Sequence, residues 1–98
     1  MDNLILDNFE FRVKKMSSIE ILSLRSQISF NGFEKAKNTY STILENMEVK
    51  IDEKWIPVKE KDKEIYYPAK LEDDVKMLDS LLDYSLQYFK SVFQESKR

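Results

Sequence analysis

The chain has 98 residues, 42% of them hydrophobic and 35% charged, and its 16 basic and 18 acidic side chains leave a net charge of −2. It contains no cysteine, no histidine and a single glycine, which excludes disulfide frameworks, thiolate metal sites, the commonest general base and Gly-rich phosphate loops. The length suits one domain, and the balanced charge disfavours nucleic-acid binding, which rests on a basic excess.

No apolar run approaches the roughly 20 residues of a membrane-spanning helix. The first seven residues carry Asp2 and Asp7 where a signal peptide has its positive region. The expected setting is therefore the cytoplasm of the cell that makes the protein, with no membrane partner.

Residues 1–8 read as an N-terminal tail. Phe9, Phe11 and Val13 then alternate with Glu10, Arg12 and Lys14, the period of a half-buried strand. Ser17 stands three residues before Glu20, a capping-box spacing. It predicts a helix over 18–30 with Ile21, Leu22, Leu24 and Ile28 as its apolar residues. Asn31-Gly32 is its natural stop. A second helix is expected over 33–46, with Phe33, Ala36, Tyr40, Ile43, Leu44 and Met47 at helical spacing.

Residues 48–51 and 55–58 read as two short strands around Asp52-Glu53-Lys54. Pro57 cannot donate to a ladder, which places its strand at a sheet edge. Residues 59–64 are six consecutive charges, read as an exposed loop. Ile65-Tyr66-Tyr67 is a candidate short strand ended by Pro68.

The last segment, 69–95, predicts a long amphipathic helix. Leu71, Val75, Leu78, Leu82, Ser85, Phe89 and Val92 step by four and three, and Leu81, Tyr88 and Phe93 widen the stripe. Glu72, Asp73 and Asp74 are expected in its first turn, where carboxylates suit the helix dipole. The fold class is thus α+β, in the order β-α-α-β-β-α, as one domain with a small antiparallel sheet.

About 25 residues of helix extend roughly 37 Å. A globule of this size has a diameter near 32 Å, judged from a radius of gyration of about 13 Å. The final helix is expected to match or outgrow its domain. Leu82, Phe89, Val92 and Phe93 would then seek a partner surface, unless the Leu4-Ile5-Leu6 segment folds over the terminal three. Trp55, Tyr66 and Tyr67 join them as candidate partner-binding residues, because Trp and Tyr bury much area at low entropic cost. The competing reading of Trp55 is a cap on the core.

Candidates for chemistry are sparse. Asp79 and Asp83 share a helix face, and Glu72-Asp73-Asp74 is a carboxylate run, yet both read first as solvated surface. No histidine or Gly-x-Ser-x-Gly turn activates a serine. Arg12, Lys14 and Lys15 form a basic cluster that reads mainly as strand-edge charge. The residues call for no catalytic site, no metal and no cofactor.

The order of features is similar to a known family. Phe9-x-Phe11-x-Val13-Lys14-Lys15-Met16-Ser17 comes first, then a helix opening on Ile19-Glu20, then Phe33. There follow Ile43-Leu44, Glu48-Val49, Trp55-Ile56-Pro57-Val58, and an acidic-start helix from Leu71 ending in Phe89 and Phe93. Over about residues 9–95 this resembles the tail assembly chaperones of long-tailed bacteriophages and prophages. The resemblance implies a non-enzymatic assembly factor, absent from the finished particle. It implies a tape measure protein as client, a tail tube protein as a further partner, and self-association into a homo-oligomer. It carries over no catalytic residue. The alternative expectation is a small acidic inhibitor or antitoxin-like protein that blocks a partner enzyme. A nucleic-acid adaptor using Arg12, Lys14, Lys15, Arg25, Lys35 and Lys37 is the third.

Overall fold

Two tight turns and two crossing helices build the sheet. In the computed structural model, residues 2–28 and 36–95 are described. The first hairpin pairs β1 (Leu4–Leu6) with β2 (Phe9–Val13). Asp7 and Asn8 form its two-residue turn, with φ of 49° and 68°. Positive φ at both positions matches the twist of flanking strands, and Asp and Asn tolerate it. The second hairpin joins β3 (Met47–Ile51) to β4 (Lys54–Pro57) through Asp52 and Glu53, with φ of 51° and 65°. Between the hairpins run α1 (Ser18–Ile28) and α2 (Ala36–Glu45), and β2 then pairs antiparallel with β3. The sheet order is β1-β2-β3-β4, so Pro57 lies on an edge strand as expected.

Residues 4–6 are therefore the first strand of the sheet, and the reading of 1–8 as a tail is corrected. Leu4 and Leu6 face the core opposite Phe11 and Phe9. The predicted end of the first helix, the predicted start of the second and the Asn31-Gly32 stop lie outside the described residues, and the second helix ends at Glu45, one residue before its expected end. The capping box is present: the Glu20 amide donates to Ser17 Oγ, and the Ser17 amide donates to Glu20 Oε1, each at 3.3 Å.

The last helix is shorter than expected. Pro68 opens a 3₁₀ turn, Ala69–Glu72, and α3 runs over Val75–Glu95. Asp74 is its cap, accepting from the Met77 amide at 3.0 Å. Glu72 and Asp73 thus precede the helix instead of lying in its first turn. Its 21 residues extend roughly 31 Å, inside the 38 Å long dimension of a domain whose radius of gyration is 13.2 Å. The expected overhang is absent.

One core fills the space between the inner sheet face and the helices. Phe11, Met47 and Val49 contribute from the sheet, Leu24, Ile43 and Leu44 from α1 and α2, and Met77, Leu81 and Phe89 from α3. Ser85 is the polar exception on α3. Its hydroxyl donates to the Leu81 carbonyl at 2.7 Å and lies 3.1 Å from Met47 Sδ. Lys59 corrects the exposed-loop expectation for 59–64. It is 3% exposed, and its Nζ lies 2.8 Å from Glu45 Oε2, tying the segment after β4 to the end of α2. Residues 61–65 are exposed. Of the candidate strand 65–67, only Tyr66 makes a bridge, to Lys59.

Candidate partner-binding surfaces

The seven expected partner-binding residues fall in three places. Trp55 stands on the outer face of the sheet. Its register partner is Lys50, while the neighbouring pair Val49 and Ile56 faces inward. The indole is partly buried, with the Arg12 guanidinium carbon 3.9 Å from the ring centroid. Arg12 in turn pairs with Glu48 at 2.9 Å. Trp55 is accordingly no cap on the core, because the strand alternation sends it to the other side of the sheet.

Tyr66 and Tyr67 pack partly buried against the core near the start of α3. Tyr66 lines a cleft with Glu64, Leu71, Glu72 and Leu78. Its hydroxyl donates to Glu64 Oε2 at 2.9 Å. Burial first, then Glu64, Glu72 and Glu45, hold its phenol above the ordinary range.

Leu82, Phe89, Val92 and Phe93 lie along α3. Phe89 is 2% exposed and is core, so its assignment as a partner-binding ring is corrected. Tyr88 meets it edge-on at 5.7 Å, and Phe93 stacks on it at 5.8 Å. Leu82, Val92 and Phe93 are partly buried, and Leu82 and Phe93 pack on the same cluster as Leu4 and Leu6. The N-terminal segment thus packs against the same core that contains Phe89. The structure does not unite the seven residues. Trp55 lies across the sheet from α3, and Leu78, beside Tyr66, is about 22 Å along the helix from Phe93.

The exposed apolar surface lies elsewhere. Ile19 is 78% and Leu22 44% exposed on α1, and Val75 is 78% and Leu86 40% exposed on α3. Ile5, Tyr40 and Ile65 are also open. A shallow cleft beside α1 is lined by Ile19, Glu20, Ser23, Leu24, Gln27 and Asn46. The sequence held a signal for the α1 surface. At about 100° per residue, Ile21 and Leu24 project to one side of the helix and Ile19 and Leu22 to the other. A single stripe of Ile21, Leu22, Leu24 and Ile28 hides it, because it joins Leu22 to the core side and omits Ile19.

Among the described residues no buried side-chain nitrogen or oxygen lacks a hydrogen-bond partner. Arg12 is engaged as above, Lys14 lies 3.8 Å from Glu20, and Asp83 accepts from Gln87 at 3.0 Å. Among the described residues no group of three or more acidic side chains is placed to hold a metal ion, and no helix is long and apolar enough to cross a membrane. No family model, curated protein or solved structure matches the chain.

Proposed function

We propose that this protein is a non-enzymatic binding factor that covers an apolar helical segment of a client. Within that class we propose a phage tail assembly chaperone whose client is the tape measure protein. The observation that carries the reading is the outer side of α1. Ile19 and Leu22 sit one turn apart there, open to solvent, and Ile19 also lines a shallow cleft together with Leu24. Ser17 and Glu20 hold the start of that helix by capping, so the surface is a formed one.

Burying a large aliphatic side chain fully is worth about 1.5–3 kcal/mol. Two such anchors one turn apart suit an amphipathic helix laid along a groove. The charged residues around them keep the uncovered surface soluble until the client arrives.

The test is titration of the purified protein with the tape measure protein encoded in the same phage or prophage genome, followed by calorimetry. Wild type is expected to bind, and Ile19→Asp/Leu22→Asp to lose binding while keeping its melting temperature. Absence of binding by wild type overturns the tape measure assignment. Binding unaffected by the double substitution removes α1 as the surface. Specific binding of an enzyme in place of the tape measure protein favours the inhibitor reading.

A further inference from the structure

Among the described residues the sheet has helices on one face only, and the register fixes what the open face presents. One row crosses all four strands as Ile5, Glu10, Lys50 and Trp55. The next row crosses three strands as Arg12, Glu48 and Pro57. These side chains point outward because Phe11 and Val49, between them in sequence, point into the core.

The four central charges alternate in both directions. Glu10 lies beside Lys50 and Arg12 beside Glu48, while Glu10 precedes Arg12 along β2 and Glu48 precedes Lys50 along β3. Such a square is its own electrostatic complement. Consider a second copy turned about a two-fold axis that lies in the face, parallel to the strands, between β2 and β3. Glu10 of each copy then meets Lys50 of the other, and Arg12 of each meets Glu48 of the other. These meetings stand alongside the contacts the same groups make within their own chain, Arg12 with Glu48 at 2.9 Å, Lys50 with Glu53 at 3.6 Å and Asn3 donating to Glu10 at 2.8 Å. The same rotation carries Ile5, 69% exposed, onto Trp55, so both ends of the row gain an apolar contact.

We propose that this open sheet face is a two-fold docking surface for a second copy of the chain. The charge square sets orientation and register, as complementary charges do at interfaces. The two Ile5–Trp55 contacts, duplicated by symmetry, are the anchors. A nucleic acid would meet Glu10 and Glu48 on the same face, which disfavours it as the occupant. Four short strands make a small face, about 15 Å across, so the association is a weak one that assembles at high local concentration. It does not rest on the client reading, because α1 and the open face lie on opposite sides of the sheet.

Trp55 is the only tryptophan in the chain, so its fluorescence reports on this face directly. Sedimentation equilibrium and Trp55 emission are followed through one dilution series up to the highest soluble concentration. Dimer mass and a blue-shifted emission should decay together on dilution. Ile5→Asp, at an exposed position, should weaken association at least about tenfold. Lys50→Glu and Glu10→Lys should each lose self-association at least about tenfold through like-charge contacts. Mixed together, those two should pair at close to wild-type strength. Circular dichroism melts establish that each variant is folded. A monomer at every concentration overturns the proposal. So does a dimer whose Trp55 emission never moves, or folded charge variants that fail to pair with each other.

Discussion

Helices α1 and α3 are both rich in apolar residues, but they spend them differently. On α3, Met77, Leu81, Ser85 and Phe89 follow one another at intervals of four and are all buried, while Asp79, Asp83 and Lys90 face water. On α1 only Leu24 is buried among the described side chains, and Ile19 and Leu22 face solvent on the far side. Helix α3 is a structural member of the core. Helix α1 is anchored chiefly by one leucine and a cap, and its Ile19 and Leu22 are left open to solvent. The lesson is that apolar content alone does not say which helix is for folding and which is for binding. The direction in which the residues point does.

The contrast should break first at Phe89. Phe89→Ala is expected to cost about 3–5 kcal/mol, the usual penalty for an aromatic cavity in a packed core, read as a shift in the denaturant midpoint. If the loss is under 1 kcal/mol, the ring is not core and the contrast fails at its stronger end. Leu24→Ala should cost less, about 2–3 kcal/mol, because α1 has fewer neighbours to hold a cavity open. Equal losses at Leu24 and Phe89 in the same denaturation series would erase the distinction.

Ser17→Ala removes the cap hydroxyl and should cost about 1 kcal/mol, with helix loss visible by hydrogen exchange at the start of α1. The same box has a pH signature. The Glu20 carboxyl is held below the ordinary range by the Ser17 amide first, then the Ser17 hydroxyl. A depressed carboxyl stabilises above its unfolded value, and that contribution is lost as pH falls through the folded one. Carboxyl NMR of Ser17→Ala should find Glu20 moved part of the way back towards an ordinary glutamate, since the amide remains.

At the other end of the pH scale, Tyr66 beside the start of α3 behaves oppositely. Burial and the nearby carboxylates raise its phenol, so the neutral form is favoured by folding. That contribution is whole below the ordinary tyrosine value of about 10 and disappears as pH rises through the raised one. Tyr66→Phe should therefore flatten the alkaline loss of stability in thermal melts. An unchanged alkaline limb would mean that Tyr66 is hydrated.

The smallest expected effect is the most telling for function. Ile19→Asp should change stability by no more than about 0.5 kcal/mol, because an exposed first-turn acid also suits the helix dipole. A large loss of melting temperature would show that Ile19 is spent on the fold after all.

Much of this was legible residue by residue. The alternation at Phe9, Phe11 and Val13, the Ser17–Glu20 box, the Pro57 edge and the amphipathic final helix all express local rules, and each has its counterpart in the fold. The first strand was not legible, because three residues carry too short a pattern and the Asp7-Asn8 turn lacks the glycine that usually marks one. The candidate site fared worse. Phe89 is available to a partner only on a helix that outgrows its domain. The Asp74 cap starts that helix later, and Phe89 belongs with Met47, Val49 and Leu81 to a single core. Lys59, inside a run of charges, is buried because Glu45 lies within 2.8 Å to compensate it.

The sequence by itself determined the alternation of apolar and polar residues, the caps and the edge proline, hence the principal strands and helices from Phe9 onward. Those are local properties, set by backbone sterics and side-chain period. Only the tertiary structure decided which apolar sides meet. Burial depends on the register of β1 against β2, on where α3 begins, and on the helices sharing one face of the sheet. That arrangement leaves Ile19, Leu22 and the row from Ile5 to Trp55 facing outward, because a two-layer fold of this size has one inside and cannot enclose every apolar residue the chain carries.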